Sequence, residues 1–269
     1  MTTSCAPAPA VREALVAAPG GRLFVRVWGG ADLSVAPAFI LFHDSLGCVE
    51  LWRDFPAKLS AATGLPVIAY DRLGFGRSDP RAGRLPIDFV RREGERNLPA
   101  LREQLGVSRM ILFGHSVGGG MAVAAGAAFP DSTLAVATVA AQAFVEDRTV
   151  AGIRAAATEF EQPDPFRRLT RYHGDKANWV LDAWVKTWLD PAFAGWTLDE
   201  DLRRLNCPVL ALHGDRDEYG SSAHPERIAR LAAAGRFTML EACGHIPHRE
   251  QPERLVAELS AFVAPLLAV

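Results

Sequence analysis

Met110-Ile111-Leu112-Phe113-Gly114-His115-Ser116-Val117-Gly118-Gly119-Gly120-Met121-Ala122-Val123-Ala124-Ala125 is the stretch whose reading decides the fold. Its first four residues are a short apolar run of the kind found in buried strands, and the residues from Gly119 onward read as a helix. Between them stands G-x-S-x-G, and strand–turn–helix is the context that a nucleophile elbow requires. A serine hydroxyl is a weak nucleophile, so it must stand on a sharp turn where a histidine can reach it. Such a turn crowds the backbone around Ser116, and the flanking glycines remove the Cβ atoms that would collide. The following helix aims its first N–H groups at the place where negative charge would develop.

The same rhythm repeats outward from this stretch. Leu23–Trp28, Phe39–Phe42, Pro66–Tyr70, Leu134–Ala140, Pro208–Leu212 and Phe237–Leu240 are apolar runs of strand length. Trp52–Ala62 and Arg254–Leu267 read as amphipathic helices, and Phe89–Leu105 and Pro225–Ala234 as helices, with Gly94 and Pro99 as points where Phe89–Leu105 could bend or split. Strands that are apolar throughout and alternate with helices imply a mainly parallel sheet covered on both faces.

Between Gln142 and Leu205 the rhythm stops. Pro163, Pro165 and Pro191 punctuate helical pieces, and four of the six tryptophans fall here: Trp179, Trp184, Trp188 and Trp196. Val180, Trp184 and Trp188 recur at four-residue spacing, as do Leu181, Val185 and Leu189, which makes a wide apolar face. That face serves packing onto the main domain. It also suits a lid whose underside, with Trp184 and Trp188, lines an apolar pocket above Ser116.

A serine nucleophile needs a base, and the base needs an orienting acid. His245, in Ala242-Cys243-Gly244-His245, follows the last apolar run and is the expected base. Asp217, in His213-Gly214-Asp215-Arg216-Asp217, follows the Pro208–Leu212 run and is the expected acid, with Asp215 as its rival. Reactions in open α/β sheets gather at the carboxyl ends of the strands, where all three candidates fall. The chain order Ser, Asp, His is itself diagnostic of one fold. His43, His115 and His213 are expected to bond locally. His248 lacks the preceding glycine of His245, and Cys243 reads as a buried thiol. Gly74-Phe75-Gly76 follows a strand but lacks the third glycine of a dinucleotide loop, since Asp79 stands there.

On these motifs the chain resembles the α/β-hydrolase superfamily, in its capped serine hydrolase branch. The likeness runs from about Arg22 to Leu267. Asp71–Ser78 resembles the family's turn after the fourth strand. Gly114–Gly119 resembles its elbow, Gly214 with Asp217 its G-x-x-D acid motif, and Gly244-His245 its histidine motif. The resemblance implies a mainly parallel eight-stranded sheet with helices on both faces. It implies a core of residues 1–141 and 206–269 and a helical cap of residues 142–205. His43-Asp44-Ser45-Leu46-Gly47 matches the family's H-G-x-P-G loop imperfectly. The implied oxyanion donors are the backbone N–H groups of Ser45 and Val117. Asp44 replaces a glycine there, and its carboxylate is expected to point away from the site, bonded to backbone or to an arginine.

The implied activity is cofactor-free hydrolysis of a small to medium carboxylic ester, thioester or lactone through Ser116, His245 and Asp217. The same residues suit cleavage of a carbon–carbon bond in a vinylogous diketone, or a perhydrolase-like side activity. A non-catalytic small-ligand-binding protein on the same fold is the alternative of another class. Epoxide hydrolase and haloalkane dehalogenase chemistry is disfavoured, because those relatives carry an aspartate where Ser116 stands.

Size and composition allow one large α/β domain with an insertion, or two small domains. The chain has 269 residues, 49% hydrophobic and 22% charged, with a net charge of −2. No basic stripe calls for nucleic acid. Cys5, Cys48, Cys207 and Cys243 lack metal-type spacing and fit a reduced compartment. The Ala/Pro-rich start has no basic segment before an apolar run, and no stretch approaches the roughly 20 apolar residues of a membrane span. The expectation is a cytoplasmic protein with a small-molecule substrate, no metal and no membrane partner. Oligomeric state has no sequence sign.

Overall fold

Phe39–Phe42, Pro66–Tyr70 and Met110–Phe113 lie at the centre of one sheet. The computed structural model describes residues 9–267, so Cys5 and the first part of the Ala/Pro-rich start lie outside the described residues. The strands are β1 (Val11–Ala18), β2 (Gly21–Trp28), β3 (Ala38–Phe42), β4 (Val67–Tyr70), β5 (Met110–His115), β6 (Thr133–Val139), β7 (Val209–Gly214) and β8 (Gly235–Leu240). They form a single eight-stranded sheet in the order β1-β2-β4-β3-β5-β6-β7-β8. β2 is antiparallel to both its neighbours, and every other pairing is parallel.

Period-2 alternation divides the core between the two faces. Ala38, Ile40 and Phe42 of β3, with Met110 and Leu112 of β5, pack with α2 (Phe89–Leu105) and α3 (Val117–Ala128). Phe39 and Leu41, with Ile111 and Phe113, pack on the other face with α1 (Phe55–Thr63) and α10 (Pro252–Leu267). Burial on both faces explains why these strands read as unbroken apolar runs.

Two expectations are corrected here. β1 was not expected. All its residues but Val16 are exposed or half-buried, so no apolar run marks it. It is an edge strand held by pairing to β2 through the turn at Pro19-Gly20. The helix expected over Trp52–Ala62 is two pieces, a 3-10 turn at Val49–Trp52 and then α1 from Phe55. By contrast, α2 is continuous. Pro99 lies on its exposed side, and Gly94 sits where a Cβ would come within 2.8 Å of Ala125 Cβ on α3.

Between β6 and β7 the chain is helical: α4 (Asp147–Glu159), α5 (Pro163–His173), α6 (Ala177–Trp188) and α7 (Asp199–Arg203). Buried polar bonds tie this segment to the core loops. His173 Nδ1 accepts from Gly76 N (2.9 Å), and its Nε2–H donates to the Leu46 carbonyl (3.0 Å). Lys176 donates to the carbonyls of Gly76 and Ser78. Tyr172-His173-Gly174-Asp175 is therefore a docking turn. The remaining helices are α8 (Ala223–Leu231) and α9 (Pro247–Glu250). Among the described residues no helix is long and apolar enough to cross a membrane.

Candidate functional site

Ser116 sits between β5 and α3 with φ 56° and ψ −128°. A non-glycine residue at positive φ is strained, and the surroundings must over-determine it. They do so through two glycines. A Cβ on Gly114 would collide with the Gly118 carbonyl, and one on Gly118 with the backbone of Phe42 and His43. The missing side chains let α3 press onto β3 and fold the turn back on itself.

Gly118→Ala tests that contact. Alanine gains about 1 kcal/mol of helix propensity over glycine. Overpacking against two backbone carbonyls that cannot rotate away costs about 1–3 kcal/mol, or more where the neighbours cannot shift. The expected outcome is a lowered urea midpoint, with a net loss of up to about 2 kcal/mol when the cost is at the upper end of that range. An unchanged or raised midpoint would mean that β3 and α3 separate at no cost.

Asp217 lies three residues past β7, and His245 five residues past β8. A Cβ on Gly214 would strike the carbonyls of Cys243 and Gly244, so this glycine lets the His245 loop close over the end of β7. His245 Nδ1 is 2.9 Å from both carboxylate oxygens of Asp217. An ionised carboxylate only accepts, so Nδ1 carries the proton and Nε2 the lone pair. Asp217 Oδ1 also accepts from the N–H groups of Tyr219 (2.8 Å) and Gly220 (3.2 Å). His213 Nε2 approaches Oδ2 at 3.3 Å.

The electrostatics follow from burial opposed by pairing. For Asp217, burial pushes the carboxyl up, but the hydrogen bond and charge of His245 outweigh it, and the net shift is downward. For His245, burial pushes the ring down, and the Asp217 hydrogen bond and charge overcome it, raising its pKa above the ordinary histidine value. Burial wins at His213 despite Asp217, so its pKa is lowered. Asp215 is exposed, and its Oδ1 accepts from Cys243 N at 3.2 Å, which shapes the loop that carries His245.

The Ser116 Oγ–H donates to Gln142 Oε1 at 3.3 Å. Gln142 is buried and lies three residues past β6. It was not singled out in the sequence, although its place at a strand's carboxyl end is the signal that pointed to the other three.

Ser116, Gln142 and His245 open into a cavity of about 250 Å³, with Ser45, Trp184 and Trp188 also in its wall. Both tryptophans are largely buried, and Tyr219 places its ring centroid 4.8 Å from that of His245. Val117 is fully buried as the first residue of α3. Asp44 departs from expectation. Its backbone carbonyl, not its carboxylate, accepts from Arg72 (2.7 Å), and the residue lines the cavity. Its Oδ1 lies 3.7 Å from His115 Nδ1. Burial opposes its ionisation, but His115 and neighbouring histidines hold its carboxyl far below the usual range. His115 Nε2–H meanwhile donates to the His245 carbonyl at 2.7 Å, and His248 is buried against Trp52 and His115. Cys48, Cys207 and Cys243 are buried free thiols. Among the described residues no three His, Cys, Asp or Glu side chains converge as metal ligands.

Known proteins share this arrangement of strands and helices. The chain is 26% identical over 279 residues to a non-heme chloroperoxidase of Streptomyces lividans, covering 91% of this chain and 96% of that protein. It is 26% identical over 253 residues to the human serine hydrolase BPHL, covering 88% and 81%. A solved bacterial membrane phospholipase A superposes with a TM-score of 0.77 at 20% identity, over 96% of this chain and 87% of that one, a likeness of fold. The sequence model of the alpha/beta hydrolase family matches residues 15–259, nearly the whole of the sheet and its helices. The chain belongs to the alpha/beta hydrolase family.

Proposed function

We propose that this protein is a serine hydrolase that cleaves a small to medium carboxylic ester, thioester or lactone. The observation that carries the reading is that His245, bonded to Asp217 at 2.9 Å, lines one cavity with a strained Ser116. The likeness to a protein named as a serine hydrolase supports it.

In the proposed reaction the Ser116 hydroxyl turns from Gln142 to His245 Nε2. Such bonds are often loose before substrate binds. Oγ attacks the carbonyl carbon while Nε2 takes its proton, and Asp217 stabilises the imidazolium. The backbone N–H groups of Ser45 and Val117 receive the oxyanion. The imidazolium then protonates the leaving group, and water activated by His245 releases the acid from the acyl-enzyme. The helical segment 142–205 acts as the cap, and Trp184 and Trp188 hold the acyl chain.

A fluorophosphonate probe tests the reading directly. It should label the wild type and not Ser116→Ala; a wild type that stays unlabelled and does not turn over p-nitrophenyl esters would favour the ligand-binding alternative.

The tryptophans give a second test. Burying a methylene stabilises binding by about 0.8 kcal/mol, so kcat/KM should rise about fourfold per methylene until the cavity fills. Trp184→Ala and Trp188→Ala should each shift the preferred chain length across p-nitrophenyl esters more than they change the rate on acetate. An unchanged profile in both variants would make these rings part of the core alone.

A further inference from the structure

The cavity at Ser116 shares a wall with a second one. Leu46, Leu51 and Arg249 line both, and the outer cavity encloses about 420 Å³. Four arginines line the outer cavity: Arg53, Arg168 and Arg171 on α5, and Arg249 on α9. They face one carboxylate, Glu159, which lies 3.9 Å from Arg168. The chain as a whole carries a net charge of −2, so this concentration of positive charge is local.

Neutral groups hold two of these guanidiniums. Arg53 donates to the Tyr172 hydroxyl at 2.9 Å and lies 5.8 Å from its ring centroid. Arg249 donates twice to the Leu51 carbonyl, at 3.1 and 3.0 Å. These partners orient the guanidiniums without cancelling their charge. In the inner cavity the charge has the other sign, since Asp44 stands in the wall with Ser116.

We propose that the substrate cleaved at Ser116 carries an anionic group at the end far from the scissile carbonyl, held by the arginines of the outer cavity. This inference rests on the hydrolase reading above and adds the substrate's charge and orientation. A neutral carbonyl enters toward Ser116, and the anion stays outside. The reverse orientation would press the anion against Asp44. A cleft of one sign raises the local concentration of an oppositely charged substrate and speeds its capture. Exposed arginines are screened by salt, so the preference depends on ionic strength. Arg168 is such a residue, with 70% of its side chain exposed.

The test compares esters of equal length with the full chain. Mono-p-nitrophenyl adipate and suberate carry a terminal carboxylate, and p-nitrophenyl hexanoate and octanoate are their neutral counterparts. At an ionic strength of about 0.01 M one anionic ester should exceed its neutral partner about 10-fold in kcat/KM. The ratio should approach unity near 1 M salt, where the screening length falls from about 30 Å to about 3 Å. Arg168→Gln combined with Arg171→Gln should lower the ratio at least about threefold. Both esters are read on one protein sample, so a change in folded fraction cancels. A wild-type preference for the neutral ester at both lengths, or a preference that survives the double variant, overturns the proposal. If no ester is turned over and no serine is labelled, the hydrolase reading falls. Binding of monomethyl adipate to Ser116→Ala, followed by calorimetry, then decides the anion site. Salt-sensitive binding that is lost when Arg168→Gln and Arg171→Gln are added to Ser116→Ala keeps it, and no binding removes it.

Discussion

Ser116→Ala and His245→Ala are each expected to lower ester turnover about 10⁴-fold or more, with the fold intact. The expectation rests on how the two side chains depend on each other. Without Oγ there is no acyl-enzyme. Without His245 the hydroxyl keeps its proton, and its resting partner, the Gln142 carbonyl oxygen, can accept a hydrogen bond but cannot act as a base. Combining the two substitutions should therefore cost little more than either alone, because residues acting as one unit are not additive. Neither change should unfold the protein. Alanine at 116 keeps the strained backbone that the flanking contacts impose, and His245 leaves behind a loop still held by Glu250, whose carboxylate accepts from Gly244 N and Ile246 N. The measurement is single-turnover and steady-state kinetics on purified variants, with circular dichroism to check the fold. Near-wild-type turnover in Ser116→Ala would remove the mechanism.

What the sequence made legible follows where burial and backbone geometry constrain residue choice. β3 to β7 are buried on both faces, so apolar residues dominate there and the runs announce themselves. The elbow is legible because its glycines are needed to let α3 meet β3. β1 was illegible because pairing along one edge, not burial, holds it, and pairing constrains side chains weakly. The 3-10 turn before α1 was hidden for a different reason. Asp71, distant in sequence, accepts from Val49 N at 2.6 Å and fixes that turn. The bond of Gln142 to Ser116 and the partners of Asp44 were out of reach on the same ground, although the place of Gln142 at a strand's carboxyl end was legible. Each depends on which side chain a neighbouring loop brings alongside, and no local pattern encodes that. Asp44 shows the point most directly. An arginine was a reasonable partner for its carboxylate, yet Arg72 takes the backbone carbonyl, and the carboxylate lies beside His115.

Asp217→Asn should reduce turnover about 10³-fold or more, while Asp215→Asn stays within about threefold of wild type. The two aspartates are two residues apart, and their surroundings separate them. At Asp217 the N–H groups of Tyr219 and Gly220 both point at Oδ1, so an asparagine there must keep its oxygen in that position. Its NH₂ group then replaces Oδ2, 2.9 Å from His245 Nδ1. An NH₂ donor opposite Nδ1 favours the tautomer with the proton on Nε2, and that proton occupies the lone pair needed to accept from Ser116. The substitution also changes the pH profile. His245 acts as a base only when neutral, so kcat/KM climbs as pH passes its pKa. In the wild type Asp217 raises that pKa against the opposing effect of burial, so the climb is centred above the ordinary histidine value. Removing the carboxylate leaves burial unopposed by its main partner, and the climb should move to lower pH even as the plateau falls. At Asp215 the carboxylate accepts one backbone N–H from an exposed position, and an asparagine oxygen accepts it equally well. Kinetics of both variants across the pH range decide the assignment. The reverse ranking would move the acid to Asp215, and a fall in the plateau without a shift in the climb would mean that Asp217 acts through loop structure alone, not through its charge on His245.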